Sequence, residues 1–324
     1  MINKKQLSYK DISEETGVSI STISRFYNRG YVSKKTKEKI QRVIKEKEYY
    51  PNHGARLIRG RDNSVFIIMP IWAQNLYASI VSGISIACVK SGRKVNTTYS
   101  GPSTKEYIET LRYVMSWKPT AIVVFIPQYD KELFDFIRKI EDIAVIIYGH
   151  QVENCNWIKP DITKGFFDLT TKVVNNSKFS ERKSIFVTDE RLSESQAIER
   201  RQGYERACIE NNWEIHEFKL NSKKEIDDVI KLHNYMKEHK IKNVICSTHE
   251  VFVSLALILG TREYFFTDIG YQSIYDNIKK YTAKIFIDYP NIGFKIENMI
   301  TVYKEHRETV SKIIPIEIVD PNRK

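Results

Sequence analysis

From residue 65 onward, short apolar runs alternate with stretches of helical period, and this rhythm restricts the fold more than any other feature of the chain. Residues 65–69, 94–99, 121–126 and 143–148 read as strands, separated by helices over 78–91, 105–117 and 131–140. The cycle then restarts, with helices over 165–176, 194–211, 224–238 and 251–259. Between and after them lie strands over 184–187, 216–220, 243–246 and 266–271. Continuous apolar strands need cover on both faces, which a parallel sheet flanked by helices supplies. Two doubly wound parallel-sheet lobes fit this pattern, with a ligand crevice at the carboxyl ends of the strands.

At 324 residues the chain exceeds one typical domain, and 42% hydrophobic residues are ample for packed cores. No apolar run approaches the roughly 18–20 residues of a membrane span. The opening MINKKQLSYK has no apolar core of a secretory signal, so a cytoplasmic location is expected. Cys88, Cys155, Cys208 and Cys246 are scattered without a CxxC, and the 7 histidines form no HExxH. Reduced thiols and no metal site are the expectation. There is no GxGxxG and no GxxxxGK[ST], so no cofactor is indicated, and no paired carboxylates or Ser/His/Asp set suggest an enzyme.

Charge is distributed unevenly. Residues 1–62 hold 15 Lys/Arg against 7 Asp/Glu, so they supply +8 of the chain's +11. A polyanion partner is implied for this segment and not for the rest. Within it, a first helix is expected over 8–16, capped by Ser8, with Asp11 at its positive end and Ile12 inward. Gly17 permits a tight turn, Val18 plugs the core and Ser19 caps a second helix. On that helix Ile23 and Phe26 (or Tyr27) pack inward, leaving Ile20, Ser21 and Arg25 outward. Ser33 starts a third helix over 34–47, with Ile40, Val43 and Ile44 as its buried stripe. Lys34, Lys35, Lys37 and Arg42 are placed to neutralise phosphates.

The spacing of Asp11-Ile12, Gly17-Val-Ser19, Thr22-Ile-Ser-Arg25, Asn28, Tyr31-Val-Ser33, Thr36, Lys39-Ile40 and Tyr50-Pro-Asn52-x-x-Ala55 resembles the lac/galactose repressor family. One departure is that the family usually has an extra residue between Asn28 and Tyr31. The resemblance implies a helix-turn-helix head over 1–50, a hinge over 51–62 and an effector-binding, dimerising body over 63–324. It implies DNA contacts from Ser19, Ile20, Ser21, Thr22, Ser24, Arg25, Asn28, Tyr31, Ser33, Lys37, Asn52, Ala55 and Ile58. An arginine such as Arg25 can pair with guanine O6 and N7. The hinge is too short for an isolated stable helix, and Gly54 raises the cost of ordering it. In similar proteins it orders on the operator, with an apolar wedge in the minor groove at the position of Ile58 and close helix approach at Ala55.

The body resembles the periplasmic sugar-binding-protein fold carried by that family, with lobes expected over about 63–159 plus 290–310 and 160–289 plus 311–324. Arg200 in Arg200-x-x-Gly203-Tyr204 matches a family motif that sends an arginine into the cleft. Its planar fork of donors suits vicinal oxygens or a phosphate. Pro70, Gln74 and Tyr77 stand at the ends of expected strands with Trp72, Gln128, His150 and Tyr289. The expected effector set is Trp72, Gln128, His150, Arg200, Thr248, Gln272 and Tyr289. Gln272 replaces a common Asp, and Thr248-His249 replaces a common Asn/Thr-Asp pair. Fewer carboxylates suit an anionic effector, in line with a looser similarity of Ala55-Arg-x-x-Arg-Gly60 to trehalose operon repressors, which sense trehalose 6-phosphate. The resemblance thus implies a homodimeric repressor of a carbohydrate operon with two partners, double-stranded operator DNA and a sugar or sugar phosphate. No membrane partner is implied. The alternatives are a global regulator with a phosphoprotein corepressor, or, more remotely, an enzyme fused to a DNA-binding head. The C-terminal residues carry no heptad run, so no tetramerising coil is expected.

Overall fold

The computed structural model describes residues 9–27, 30–46, 62–176, 182–221, 225–271 and 281–321. Two compact units divide near residue 62. The first contains α1 (Tyr9–Thr16), α2 (Ile20–Tyr27) and α3 (Lys34–Glu46). Ile12, Ile23, Ile40 and Val43 form its core, with Tyr9, Val18, Phe26, Tyr27 and Ile44 packed around them. Such a core is small, so local devices carry much of the geometry. Thr16 Oγ1 donates to the Ile12 carbonyl at 2.6 Å, and Gly17 turns the chain with φ +60°. An L side chain there would be strained, which is why glycine ends α1.

The second unit holds two sheets, and its helices α4–α11 span Gln74–Lys90, Thr104–Ser116, Lys131–Arg138, Ile162–Asn175, Glu194–Glu210, Glu225–Glu238, His249–Ile258 and Tyr289–His306. The first sheet has the order β11-β5-β4-β3-β1-β2. Its strands are β1 (Asp62–Pro70), β2 (Lys94–Ser100), β3 (Pro119–Phe125), β4 (Ala144–Tyr148), β5 (Asn156–Pro160) and β11 (Ser311–Ile314). The second has the order β12-β10-β9-β8-β6-β7. It is built from β6 (Ser184–Asp189), β7 (Glu217–Leu220), β8 (Asn243–Cys246), β9 (Phe265–Gly270), β10 (Ala283–Phe286) and β12 (Glu317–Val319).

The reason for continuous apolar strands is visible in their packing. Alternate residues of β1 enter different cores, Val65, Ile67 and Met69 on one face and Phe66 and Ile68 on the other. β3 does the same, with Ala121, Val123 and Phe125 opposite Ile122 and Val124. Both faces are therefore dry, as a period of two in a helix-covered sheet requires.

One expectation needs correction. The sequence reading places residues 311–314 in the second lobe, but Ser311–Ile314 pairs in parallel with β5 of the first sheet. The chain crosses back only at 315–316, before β12. β12, at the edge of the second sheet, runs antiparallel to β10. A short returning edge strand can pair that way without a crossover helix.

α11 belongs with the first sheet. It crosses α4 where Gly83 and Gly293 meet backbone to backbone, and a Cβ on Gly293 would lie 2.4 Å from the Ile84 nitrogen. The buried Arg93–Glu297 ion pair fastens the same helix to the turn before β2.

Candidate nucleic-acid interface and effector cleft

In the head, Ser19 precedes α2 and its Oγ accepts from the Thr22 amide at 3.3 Å, an N-cap. Its hydroxyl also contacts the Ser21 and Thr22 hydroxyls, each at 2.9 Å. At about 100° per residue, Ile20, Ser21, Ser24 and Arg25 occupy an arc of about 140° opposite Ile23 and Phe26. Ile20, Ser21 and Arg25 are exposed, whereas Thr22 and Ser24 are half-buried beside the core. Ile20 is 39% exposed, an apolar tip left in solvent at the start of the helix. Gly30 donates to the Arg25 carbonyl at 2.8 Å and closes the end of α2. Tyr31 stands 92% exposed in the following loop. Ser33 caps α3 by accepting from Thr36, and Lys34, Lys35, Lys37, Lys39 and Arg42 are all exposed on that helix. Asn28, Asn52, Ala55 and Ile58, with the rest of the 51–61 hinge and Ser8, lie outside the described residues.

In the body, the Arg-x-x-Gly-aromatic motif has a physical account. A Cβ on Gly203 would fall 2.3 Å from the Thr163 carbonyl, so glycine lets α8 lie directly on α7. The buried Tyr204 hydroxyl donates to the Ser184 carbonyl at 2.9 Å and accepts from the His216 amide at 3.2 Å. With α8 anchored at both points, its first two turns are carried to the crevice between the lobes. There Arg200 Nη1 donates to the Ser247 carbonyl, and its buried Nε has no partner among the described residues. Burial lowers the pKa of Arg200, while Tyr289, Glu250, Glu199 and Tyr148 favour its charge. At pH near neutral the guanidinium stays charged.

Tyr77, Tyr148, Gly149, His150, Ile126 and Pro127 from the first lobe face Ser195, Gln196 and Glu199 from the second across a cavity of about 30 Å³. Tyr77, Phe125 and Tyr148 form one aromatic wall, with Tyr77 and Phe125 centroids 4.4 Å apart. Burial raises the phenol pKa values of Tyr77, Tyr148 and Tyr289, so all three keep their hydroxyl protons. His150 Nε2 lies 2.8 Å from the Ile126 carbonyl and must carry the proton there. Burial lowers its pKa, so this ring is a neutral wall of the cleft. Glu199 is paired with Lys159 of β5.

Of the expected effector residues, His150, Arg200 and Tyr289 gather at the crevice. Trp72 is 56% exposed in the turn after β1 and Gln128 is exposed before α6; neither lines the cavity. Thr248 is buried, and its hydroxyl caps α10 by accepting from Val251 at 3.1 Å. Gln272 lies outside the described residues. Tyr148, Ser195, Gln196, Glu199 and Lys159 escaped the sequence reading. Glu199 had one available signal, its place beside Arg200 one turn after Ser195.

Beyond the cavity wall, His249 Nδ1 lies 2.8 Å from Asp268 Oδ1. Asp268 is buried on β9 and lies 3.4 Å from the buried Lys284 Nζ, its register partner on β10. No group of three or more His, Cys, Asp or Glu placed to hold a metal occurs among the described residues. No described helix is long and apolar enough to cross a membrane.

The described structure thus comprises a three-helix head with a solvent-facing second helix and, as a separate unit, two α/β lobes with a crevice between them. The comparisons agree. Residues 8–52 match the family described as bacterial regulatory proteins, lacI family. The sucrose operon repressor of Staphylococcus xylosus is 29% identical over 149 residues, 46% of each chain. The HTH-type transcriptional repressor PurR of Histophilus somni is 24% identical over 213 residues, 64% of this chain and 62% of that one. The matches thus span about half to three-fifths of the relatives' lengths. In fold, the chain resembles the lac repressor dimer bound to operator and the anti-inducer ONPF, with a TM-score of 0.80 at 15% identity and 98% coverage of both. The family match falls within the N-terminal segment that holds the three-helix head.

Proposed function

We propose that this protein is a sequence-specific DNA-binding repressor whose grip on an operator is set by a small molecule in the interlobe crevice. The observation that carries the reading is the outward face of α2: Ile20, Ser21 and Arg25 exposed on a capped helix, in a segment carrying +8. An exposed arginine and a hydroxyl on one helical arc suit base edges in the major groove, and the lysines of α3 suit phosphates. A symmetric homodimer would present two such helices to a pseudo-palindromic site. Such a role places the protein with the chromosome in the cytoplasm, acting as a regulator and not as a catalyst.

The effector reading rests on the cleft. Arg200 brings a buried charge whose Nε has no described partner, and the three tyrosines bring protonated hydroxyls. Sugar hydroxyls and sugar phosphates both match that donor set. The cavity of about 30 Å³ has room for about one water, whereas ligand sites run to roughly 300 Å³ and more. The lobes must therefore part to admit a sugar. A ligand that favours the parted state shifts the body by its difference in affinity for the two arrangements. The relatives' names, a sucrose operon repressor among them, favour a carbohydrate operon as the target. The test is fluorescence anisotropy with the DNA upstream of the gene and a shuffled duplex, across a salt series. Tight binding to the first with a steep salt slope is expected. Equal affinity for both duplexes would refute sequence-specific binding.

A further inference from the structure

One charged side chain stands among the described residues that line the crevice cavity, the carboxylate of Glu199. α8 carries it one turn before Gly203, and the Thr163 hydroxyl of α7 donates to the Glu199 carbonyl at 3.2 Å. From the first lobe, Lys159 of β5 donates to Glu199 Oε1, with the lysine side chain 16% and the glutamate 31% exposed. A partly buried pair of this kind roughly offsets its own desolvation, so stability does not account for a charge in the crevice wall. An ionised carboxylate has about four lone-pair sites on two oxygens, and the lysine takes one of those oxygens. No hydrogen bond to Glu199 Oε2 occurs among the described residues.

Resting on the reading of the crevice as the effector site, we propose that Glu199, held in place by Lys159, accepts hydroxyl groups of the effector and selects a polyhydroxylated ring at this wall. A sugar hydroxyl both donates and accepts, so a site that fixes its orientation needs both kinds of partner. The hydroxyls of Tyr77 and Tyr148 in the same lining are donors, and their rings add apolar surface. Acceptors are scarcer. His150 supplies one, because its Nε2 proton goes to the Ile126 carbonyl and Nδ1 keeps its lone pair. Glu199 supplies the stronger one, since a hydrogen bond to a carboxylate is shorter and firmer than one to a neutral group. The ion pair with Lys159 sets the long side chain before the effector arrives, which spares binding the entropy of ordering it. The same negative charge repels an anion, so a phosphate on the effector belongs away from this wall.

The experiment is isothermal titration of the full-length chain with trehalose, sucrose, trehalose 6-phosphate and inorganic phosphate, in wild type, Glu199→Gln, Lys159→Met and Arg200→Met. Glutamine keeps the shape of Glu199 and gives up its charge, so each sugar that binds wild type should bind this variant about tenfold to a hundredfold more weakly. Inorganic phosphate, which brings charge without a sugar ring, should bind Glu199→Gln at least as well as wild type. Lys159→Met breaks the same ion pair but keeps the carboxylate, and should lose far less sugar affinity. Equal losses in Glu199→Gln and Lys159→Met would assign the effect to the pair and overturn the proposal. Unchanged sugar affinity in Glu199→Gln, weaker phosphate binding in that variant, or no binding by any of the three sugars also overturns it. Sugar binding that Arg200→Met abolishes and Glu199→Gln leaves intact defeats this inference alone. Sugar binding that neither variant alters defeats the reading of the crevice as well.

Discussion

The crossing of α4 and α11 offers the most exacting perturbation, Gly293→Ala. An added Cβ would lie 2.4 Å from the Ile84 nitrogen, 2.5 Å from the Ile80 carbonyl oxygen and 2.6 Å from the Gly83 carbonyl carbon. Carbon contacts are comfortable at about 3.5–4 Å, so the helices must part by about 1 Å. All three atoms are backbone and cannot rotate away, which places the cost near the upper end of overpacking, about 3 kcal/mol. The gain in helix propensity from glycine to alanine offsets about 1 kcal/mol. A net loss of about 2 kcal/mol corresponds to a fall of roughly 4–8 °C in Tm for a unit of this size. Because Tyr289 lies on α11 and Tyr77 on α4, the same variant should also weaken effector binding. Gly165→Ala is the comparison, since its Cβ would meet the tip of Ile316 at 3.0 Å, a side chain that can turn. Thermal melts of the two variants decide the matter. A Gly293→Ala protein as stable as wild type, or less affected than Gly165→Ala, would refute the reasoning.

The other predictions concern the head, the ion pair and pH. Arg25→Ala should relax base discrimination, whereas Lys37→Ala should weaken binding evenly on all duplexes and reduce the salt slope by about one, both read by anisotropy. Ser19→Ala removes the α2 cap at a cost of about 1 kcal/mol, a large share of what four buried side chains provide, and circular dichroism of the full chain should register earlier loss of head helicity. Glu297→Ala strands the buried Arg93 charge and should cost about 3–5 kcal/mol in denaturant unfolding, with a much smaller loss showing the pair to be marginal. His249 has a raised folded-state pKa, so the stability its pairing with Asp268 contributes is full below about pH 6.5. It is lost as pH rises through the folded value. Wild type should therefore lose more stability than His249→Gln between pH 6 and pH 9; parallel curves would count against the pair.

What could be read from the chain alone follows its physics. β1, β3 and β4 were legible because strands buried on both faces are apolar at every position. β5 reads Asn-Trp-Ile-Lys-Pro and β10 reads Ala-Lys-Ile-Phe, so each breaks the apolar run with a polar residue whose partner is distant in sequence. α11 opens with Tyr289-Pro290 and carries Gly293, residues that look like breakers. Yet Pro290 sits in the first turn, where its missing N–H costs nothing, and Gly293 serves the crossing. In the site, Arg200 was visible because its anchors, Gly203 and Tyr204, follow it directly. His249 was visible only as a departure, because its meaning depends on Asp268 and Lys284, which the parallel register of β9 and β10 alone brings together.

Control of the head by the crevice is the central claim, and an operator titration with the full-length protein tests it most directly. Binding to the upstream duplex is measured with and without saturating trehalose 6-phosphate, in wild type and in Arg200→Met. A change in operator affinity of about tenfold in wild type, lost in Arg200→Met, is the predicted result, since couplings of 1–3 kcal/mol are usual between linked sites. Trehalose 6-phosphate that binds the body yet leaves operator affinity unchanged would contradict the account.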